Sequence, residues 1–380
     1  MPVIYLIAGE ASGDALGASL MHAIHTVRPD VRFAGVGGNA MRAAGLQSLF
    51  PYEALSVMGF MEVLPHIPKF LRLLRETAQD IAAKQPDLVV TIDSPGFNFR
   101  LADMLRKNLH TQDIKRIHYV APSVWAYKPE RAAKTARLFD RLLAVLPFEP
   151  PYFEKEGLQT NFVGHPVLWQ ENKGDAAAFR NRHNIAADES VLLVLPGSRR
   201  GEVQRHLPIF MEAAKAMAGY KIVVMAGAQV KRYIAENVPQ DVVVCDVQEK
   251  QDAFAAATLA LSKSGTVTLE LAASLVPTVV AHKVSALSAW LLKKMILIKY
   301  VSLANIALNE EVIPELLQER CTVTEITSAL RTLAASEMMQ RQKEGYERAI
   351  RALRGNNTEP PDKMAAEAVL AELDQSKHIK

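Results

Sequence analysis

Several short stretches of this chain combine residue types that can bind or activate a polar ligand, and each follows an apolar run of strand length. Asp93 closes the run Asp87-Leu88-Val89-Val90-Thr91-Ile92-Asp93 and precedes Ser94-Pro95-Gly96-Phe97-Asn98. A carboxylate at a strand terminus facing a cleft can take a proton from a substrate hydroxyl. An aspartate there can equally cap the turn that follows. Pro196-Gly197-Ser198-Arg199 joins another strand to a helix. A guanidinium beside a helix N-terminus suits a diphosphate, because charge-assisted hydrogen bonds add to the helix dipole. It is not a P-loop, since no Gly-Lys-Ser/Thr ending follows. In Ser264-Gly265-Thr266-Val267-Thr268-Leu269-Glu270, hydroxyls and N–H groups can hold phosphate. Glu270 falls one helical turn beyond Thr266, on the same face, where it could accept both hydroxyls of a ribose. A capping box is the competing account, but it needs a three-residue spacing and the interval from Thr266 is four.

Other stretches are less specific. Gly9-Glu10-Ala11-Ser12-Gly13-Asp14 follows the opening strand, where small residues let a ligand approach a helix N-terminus; a plain tight turn needs the same residues. Gly35-Val36-Gly37-Gly38-Asn39-Ala40 fits the loose G-x-G-x-x-A form of a dinucleotide site. It follows the second strand rather than the first, and no acidic residue closes a later strand at the distance needed to hold a ribose, which favours a structural turn. Pro122-Ser123-Val124-Trp125-Ala126-Tyr127 precedes a basic helical pattern, and its aromatics could line an acceptor site or pack the domain. His22, His25, His66, His165 and His206 could each move a proton, though packed or solvated histidines are commoner. There is no Asp-x-Asp pair, no His-Glu-x-x-His and no G-x-S-x-G elbow. The expectation is chemistry without metal or cofactor, with leaving-group charge met by arginine, backbone N–H groups and helix dipoles.

These residues need strands to hold them. Val3 to Ala8, Val31 to Val36, Asp87 to Asp93, Ile117 to Val120 and Arg141 to Leu146 read as strands separated by helical patterns, which predicts a parallel sheet covered on both faces. A link is expected around Gly164-His165-Pro166 and Glu171 to Asp175. The grammar then restarts, with strands at Val191 to Leu195, Lys221 to Met225, Val242 to Val244 and Leu259 to Leu261. The prediction is α/β: two doubly wound Rossmann-like domains over 1–165 and 166–345, facing a cleft that would carry the site. Asn356 to Asp362 reads as a loop and Met364 to Leu373 as a last helix, in a segment 346–380 that returns to the first domain or to a partner subunit.

Bulk properties fit this plan. At 380 residues the chain exceeds one ordinary core. With 49% apolar and 22% charged residues it reads as globular, and a net charge of +3 does not argue for nucleic acid. Cys245 and Cys321 form no C-x-x-C pair, which suits a reducing cytoplasm. The N-terminal apolar run is too short for a signal peptide. Val284 to Tyr300 is interrupted by Lys293 and Lys294, whereas a span needs about 20 nearly uninterrupted apolar residues.

Taken together, the motifs resemble the lipid-A-disaccharide synthases. The resemblance rests on Ala8-Gly9-Glu10-Ala11-Ser12-Gly13-Asp14, Val57-Met58-Gly59-Phe60-Met61-Glu62-Val63-Leu64, Ile92-Asp93-Ser94-Pro95, the run His118 to Ala126, Pro196-Gly197-Ser198-Arg199, and Tyr300-Val301-Ser302-Leu303-Ala304-Asn305. They occur in order over nearly the whole chain. The resemblance implies a GT-B glycosyltransferase, inverting and metal-independent, with UDP-2,3-diacylglucosamine as donor and 2,3-diacylglucosamine 1-phosphate as acceptor. It implies Asp93 as general base and Asn305 as a polar active-site position. Arg199 would meet the diphosphate, Ser264, Gly265 and Thr266 would line that pocket, and Glu270 would hold the ribose. Glu10, Ser12, Gly13 and Asp14 match the loop facing the acceptor. The chain departs from the family at Gly96, where relatives often carry an acidic residue, so no second carboxylate is expected there. The resemblance also implies homodimers with exchanged C-terminal segments, and acylated substrates that bring the protein to the cytoplasmic face of the inner membrane. Phe60 to Leu74 and Val284 to Tyr300, with Lys69, Arg72, Arg75, Lys293, Lys294 and Lys299, are the stretches suited to an anionic bilayer; ordinary core helices are the alternative.

Other functions stay open at this level. A peptidoglycan N-acetylglucosaminyltransferase or a UDP-sugar epimerase would share the UDP-binding half. An NAD-dependent oxidoreductase would rest on Gly35 to Ala40 alone. A non-catalytic membrane-surface protein would tolerate Asp93→Asn.

Overall fold

The structure, a computed structural model, describes residues 1–56, 67–170, 174–284 and 298–377. The chain forms two compact units, Met1–Pro166 with Gly355–Lys380, and Val167–Arg354.

In the first unit, strand and helix alternate: β1 (Val3–Ala8), α1 (Ala11–Val27), β2 (Arg32–Val36), α2 (Asn39–Ala43), β3 (Gln47–Ser48), α3 (Glu53–Ser56), α4 (Ile67–Lys84), β4 (Leu88–Ile92), α5 (Pro95–Lys107), β5 (Lys115–Tyr119), α6 (Arg131–Leu138), β6 (Arg141–Ala144), α7 (Pro150–Glu154) and β7 (Gln159–Phe162). The strands pair in parallel in the order β3-β2-β1-β4-β5-β6-β7. The chain winds outward from β1 in one direction and resumes from β4 in the other. Ligands of such sheets bind at this reversal, beyond the carboxyl ends of the strands. Gly9 and Asp93 follow those two neighbouring strands. β4 is buried along its whole length, which is why it reads as an unbroken apolar run. One face of the sheet packs Tyr5, Ile7 and Val89 against Phe97 and Leu101. The other gathers Phe99, Phe139, Leu142 and Phe153.

The second unit repeats the plan with α8 (Ala176–Arg182), β8 (Ser190–Leu195), α9 (Arg200–Lys215), β9 (Tyr220–Ala226), α10 (Ala228–Glu236), β10 (Val243–Asp246), α11 (Lys250–Ala256), β11 (Leu259–Ser262), α12 (Val267–Ala273), β12 (Thr278–His282), α13 (Leu303–Leu308), β13 (Glu315–Leu317), α14 (Val323–Leu333) and α15 (Ser336–Arg354). Its sheet runs β10-β9-β8-β11-β12-β13, again parallel. β8 alternates between two cores, with Leu192 and Val194 on the side of Phe210 and Leu193 on the side of Phe254.

The last helix, α16 (Pro361–Lys377), packs against α1. Its Glu372 meets Arg141 Nε at 2.9 Å, both side chains buried, while Arg141 Nη1 donates to Asn161 at 2.7 Å. The chain re-enters the first unit at Gly355, later than the expected 346, because α15 continues to Arg354. α16 likewise begins at Pro361, inside the stretch read as loop, with proline at a first-turn position that needs no N–H. α1 starts at Ala11, so Ser12, Gly13 and Asp14 lie in its first turn rather than in the loop before it. β3, β7, β12 and β13 were not anticipated from the sequence; β3 and β7 are short and polar. Among the described residues no helix is long and apolar enough to cross a membrane.

Candidate functional site

Asp93 lies immediately past β4. Its N–H continues the ladder, donating to Tyr119 O at 2.9 Å. Asp93 and Ser94 are both left-handed, with φ of 49° and 45°. Two adjacent non-glycine residues there cost roughly 1–2 kcal/mol each and persist only where the surroundings impose them. The constraint is Asn98, fully buried, whose Nδ2 donates to Asp93 O at 2.7 Å and Ile92 O at 3.2 Å. Strain recurs on the next strand: Val120, a β-branched residue, has φ 75° just after β5. Gly9 approaches so closely that a Cβ there would stand 2.5 Å from Ser94 Oγ, which locks the turn after β1 onto the turn after β4. The Asp93 side chain is half-buried, and that burial pushes its carboxyl above the ordinary range against a partly offsetting hydrogen bond from the Ser94 backbone. A Cβ at Gly96 would meet nothing within 4 Å.

The residues around Asp93 divide into two kinds. Glu10 and Ser12 are exposed at the start of α1. Gly13 packs against Ala8 and Ile92. Asp14 is buried, and its carboxylate accepts from the N–H groups of Gly38 (2.7 Å), Ala40 (2.9 Å) and Met41 (3.1 Å). It clamps the turn into α2, a structural task that occupies both oxygens. The same turn disposes of the dinucleotide reading. A Cβ at Gly35 would lie 1.9 Å from Leu6 O, and one at Gly38 would lie 2.2 Å from the Tyr52 ring. Those glycines answer to packing.

Sequence reasoning missed Glu149. It is 2% exposed, takes Trp125 Nε1–H on Oε1 at 3.1 Å, and takes the N–H groups of Val145 (3.2 Å) and Leu146 (3.0 Å) on Oε2. Trp125 also sits edge-on to Phe148, with centroids 5.2 Å apart. Burial raises the Glu149 carboxyl to about 7 despite these three donors. The available signal was a carboxylate between prolines just after an apolar strand.

In the second unit, a cavity of about 390 Å³ opens at the carboxyl ends of β8 and β11. It brings together Arg199, Gly265, Thr266 and Glu270 from the expected set, and adds Glu202, Lys250 and Lys263. Ser264 lies in the same turn but does not line it. Arg199 is the N-cap of α9, whose first N–H groups have no side-chain cap. Lys250 Nζ lies 2.6 Å from Glu270 Oε2. Burial favours the neutral form of Glu202, but Lys263 and the amides of Ser198 and Arg199 outweigh it and hold the carboxyl below its ordinary range. His206 is buried behind this cavity, its Nδ1 3.1 Å from Pro196 O and its Nε2 accepting from Lys283 N at 3.1 Å. Burial lowers its basicity, so the imidazole works as a neutral latch between the turns after β8 and β12.

Asn305 is in neither group. It is fully buried; Nδ2 donates to Ile313 O and Glu315 Oε1, both at 2.8 Å, and Oδ1 accepts from Val312 (2.9 Å) and Ile313 (2.8 Å). The amide's hydrogen-bonding capacity is filled. The expected motif at 57–64 and most of the stretch 284–300 lie outside the described residues. α4 exposes Ile67 and Leu71 beside Lys69, Arg72 and Arg75. Among the described residues, no cluster of three His, Cys, Asp or Glu side chains could seat a metal.

Two doubly wound parallel sheets in succession define the GT-B glycosyltransferase architecture. Solved structures with this fold include the calicheamicin glycosyltransferase CalG4 (TM-score 0.61, 18% identical, covering 99% of each chain). They also include S. aureus MnaA with UDP (TM-score 0.66, 13% identical, covering 100% of this chain and 98% of that one). The sequence narrows the class. Residues 4–369 match the model of the Lipid-A-disaccharide synthetase family. The lipid-A-disaccharide synthase of Rhodospirillum centenum is 45% identical over 97% of this chain and 94% of its own. That of Paramagnetospirillum magneticum is 45% identical over 99% and 98%. The chain belongs to the lipid-A-disaccharide synthase family: it is an enzyme, a glycosyltransferase of lipid A synthesis that takes a nucleotide sugar and an acceptor.

Proposed function

We propose that this enzyme transfers 2,3-diacylglucosamine from UDP-2,3-diacylglucosamine to the 6-hydroxyl of 2,3-diacylglucosamine 1-phosphate. The products are the β-1′,6-linked disaccharide 1-phosphate and UDP. The reading is carried by Asp93, a half-buried carboxyl held at the sheet's switch point by a strained backbone. Burial raises its proton affinity toward that of a working base. Asp93 removes the acceptor hydroxyl proton as the oxygen attacks the donor's anomeric carbon. The bond from that carbon to the diphosphate breaks with its electron pair, and attack opposite the leaving group inverts the centre. Glu10 and Ser12 contribute on the acceptor side. Arg199, the Ser264-Gly265-Thr266 turn and the N–H groups opening α9 meet the diphosphate, and Glu270 meets the ribose. Asn305 is a positioning residue, holding the segment between α13 and β13.

The substrates' acyl chains require a membrane surface. The exposed Ile67 and Leu71, set among Lys69, Arg72 and Arg75 on α4, suit shallow contact with anionic lipid on the cytoplasmic face of the inner membrane. The decisive assay is UDP release in EDTA with both acylated sugars, for wild type and Asp93→Ala. Acceptor-dependent release with disaccharide formation, lost by orders of magnitude in the variant, is the expected result. Because UDP-N-acetylglucosamine 2-epimerases share the fold, conversion of the donor into an isomeric UDP-sugar, with no net UDP release and no need of acceptor, would favour that chemistry instead.

A further inference from the structure

The donor cavity holds an ammonium group to which no role is assigned above. Lys263 follows β11 directly, and its N–H donates to Leu195 O at 2.9 Å, which sets it level with the Pro196-Gly197-Ser198-Arg199 turn. Its Nζ donates to Glu202 Oε1 at 3.2 Å, and the two side chains are only 19% and 18% exposed. On its other side, the Cβ of any residue at Gly265 would stand 3.6 Å from Nζ, so the ammonium lies alongside the Ser264-Gly265-Thr266 turn. Glu202 is fixed in turn. Its Oε2 takes Ser198 N at 3.3 Å, and it presses so closely on Gly197 that a Cβ there would meet Oε2 at 2.7 Å.

The cavity's other cations are less suited to a charge that grows as a bond breaks. Arg199 is 75% exposed and stands 3.8 Å from Glu202, so water screens it. Lys250 is more exposed than Lys263, and its partner at 2.6 Å is Glu270, the carboxylate assigned to the ribose. A desolvated, preorganised cation stabilises developing charge far better than one in water. We infer that Lys263 contacts the donor's diphosphate and takes up the leaving-group charge, with Glu202 as the positioning residue that holds it in place while the cavity is empty. This assignment rests on the UDP-sugar reading of the cavity.

The test is calorimetric titration of the full chain with UDP, UMP and uridine, for wild type, Lys263→Gln and Lys263→Arg. Lys263→Gln should weaken UDP by roughly 10- to 100-fold, UMP less and uridine within twofold, because one charge-assisted contact is lost. Lys263→Arg should keep UDP within roughly fivefold, and kcat should fall in Lys263→Gln beyond its effect on UDP affinity. Unchanged UDP binding in Lys263→Gln would overturn the assignment. So would a parallel loss of uridine, which would mark the Lys263–Glu202 pair as a brace between two turns. A wild type that ignores UDP would bring down the donor reading, and this assignment with it. If Lys263→Gln does not fold, amine acetylation of the wild-type chain read by mass spectrometry serves instead. UDP, and not uridine, should shield Lys263, and equal labelling with and without UDP would overturn the inference.

Discussion

Asp14 separates a structural from a catalytic reading most sharply. It belongs to the motif that resembles the acceptor loop, yet its carboxylate is buried and accepts three backbone N–H groups of the turn into α2, at 2.7, 2.9 and 3.1 Å. Asp14→Ala strips all three donors of their partner, two of them in fully buried bonds. At the lower end of about 1.5 kcal/mol for a hydrogen bond to a charged group, the loss comes to about 4–5 kcal/mol. Asp14→Asn is gentler: one oxygen can still serve Gly38 and Met41, while an NH₂ now faces the Ala40 N–H, for about 1.5–3 kcal/mol. Gly38→Ala attacks the same turn from the other side, since its Cβ would lie 2.6 Å from Asp14 Oδ2. The two changes should therefore be less than additive in a double variant. Urea denaturation followed by circular dichroism, together with kcat and KM of the folded Asp14→Asn protein, reads both sides. A lowered midpoint with kcat and acceptor KM within threefold of wild type is expected. Wild-type stability with a tenfold or larger kinetic defect would refute the clamp and return Asp14 to the acceptor site.

Asp93→Asn should lower kcat by roughly 10²–10⁴ while UDP affinity stays within threefold. In the wild type, activity needs the ionised carboxylate, so kcat/KM should fall as pH drops through a value above the ordinary aspartate range, because burial raises it. Glu149, raised to about 7 by burial from an ordinary 4.5, favours the folded state when protonated. Its contribution is present below about pH 4.5 and lost as pH climbs through 7, on the order of 3 kcal/mol. Glu149→Gln should flatten the decline in melting temperature between pH 5 and 8, and an unchanged slope would count against it. Glu372→Ala leaves the Arg141 guanidinium buried without its carboxylate and should cost about 3–5 kcal/mol. Replacing both by methionine should recover most of that loss in a thermal melt.

The class was legible in the residues, and the candidate site could be proposed from them, because both depend on local order. Asp93 after an apolar run, Arg199 opening a helix and Glu270 one turn beyond Thr266 are relations within a few residues, and strand-turn-helix grammar places such groups at the carboxyl ends of strands. One cavity gathers Arg199, Gly265, Thr266 and Glu270. Other assignments needed contacts between residues far apart in the chain. Glu149 reaches back to Trp125, and Asp14 reaches forward to Gly38, so neither local sequence shows whether the carboxylate is solvated, paired or buried. Asn305 reads as a polar motif residue until Ile313 and Glu315 are seen to fill its amide. Lys263 looks like any surface lysine until Glu202 arrives from another turn. A chain's own order determines which elements form and where their ends lie. Whether a polar side chain is spent inside the protein or kept for a ligand is decided by partners that only the tertiary fold brings within hydrogen-bonding distance, because desolvation penalises a buried polar group left without one.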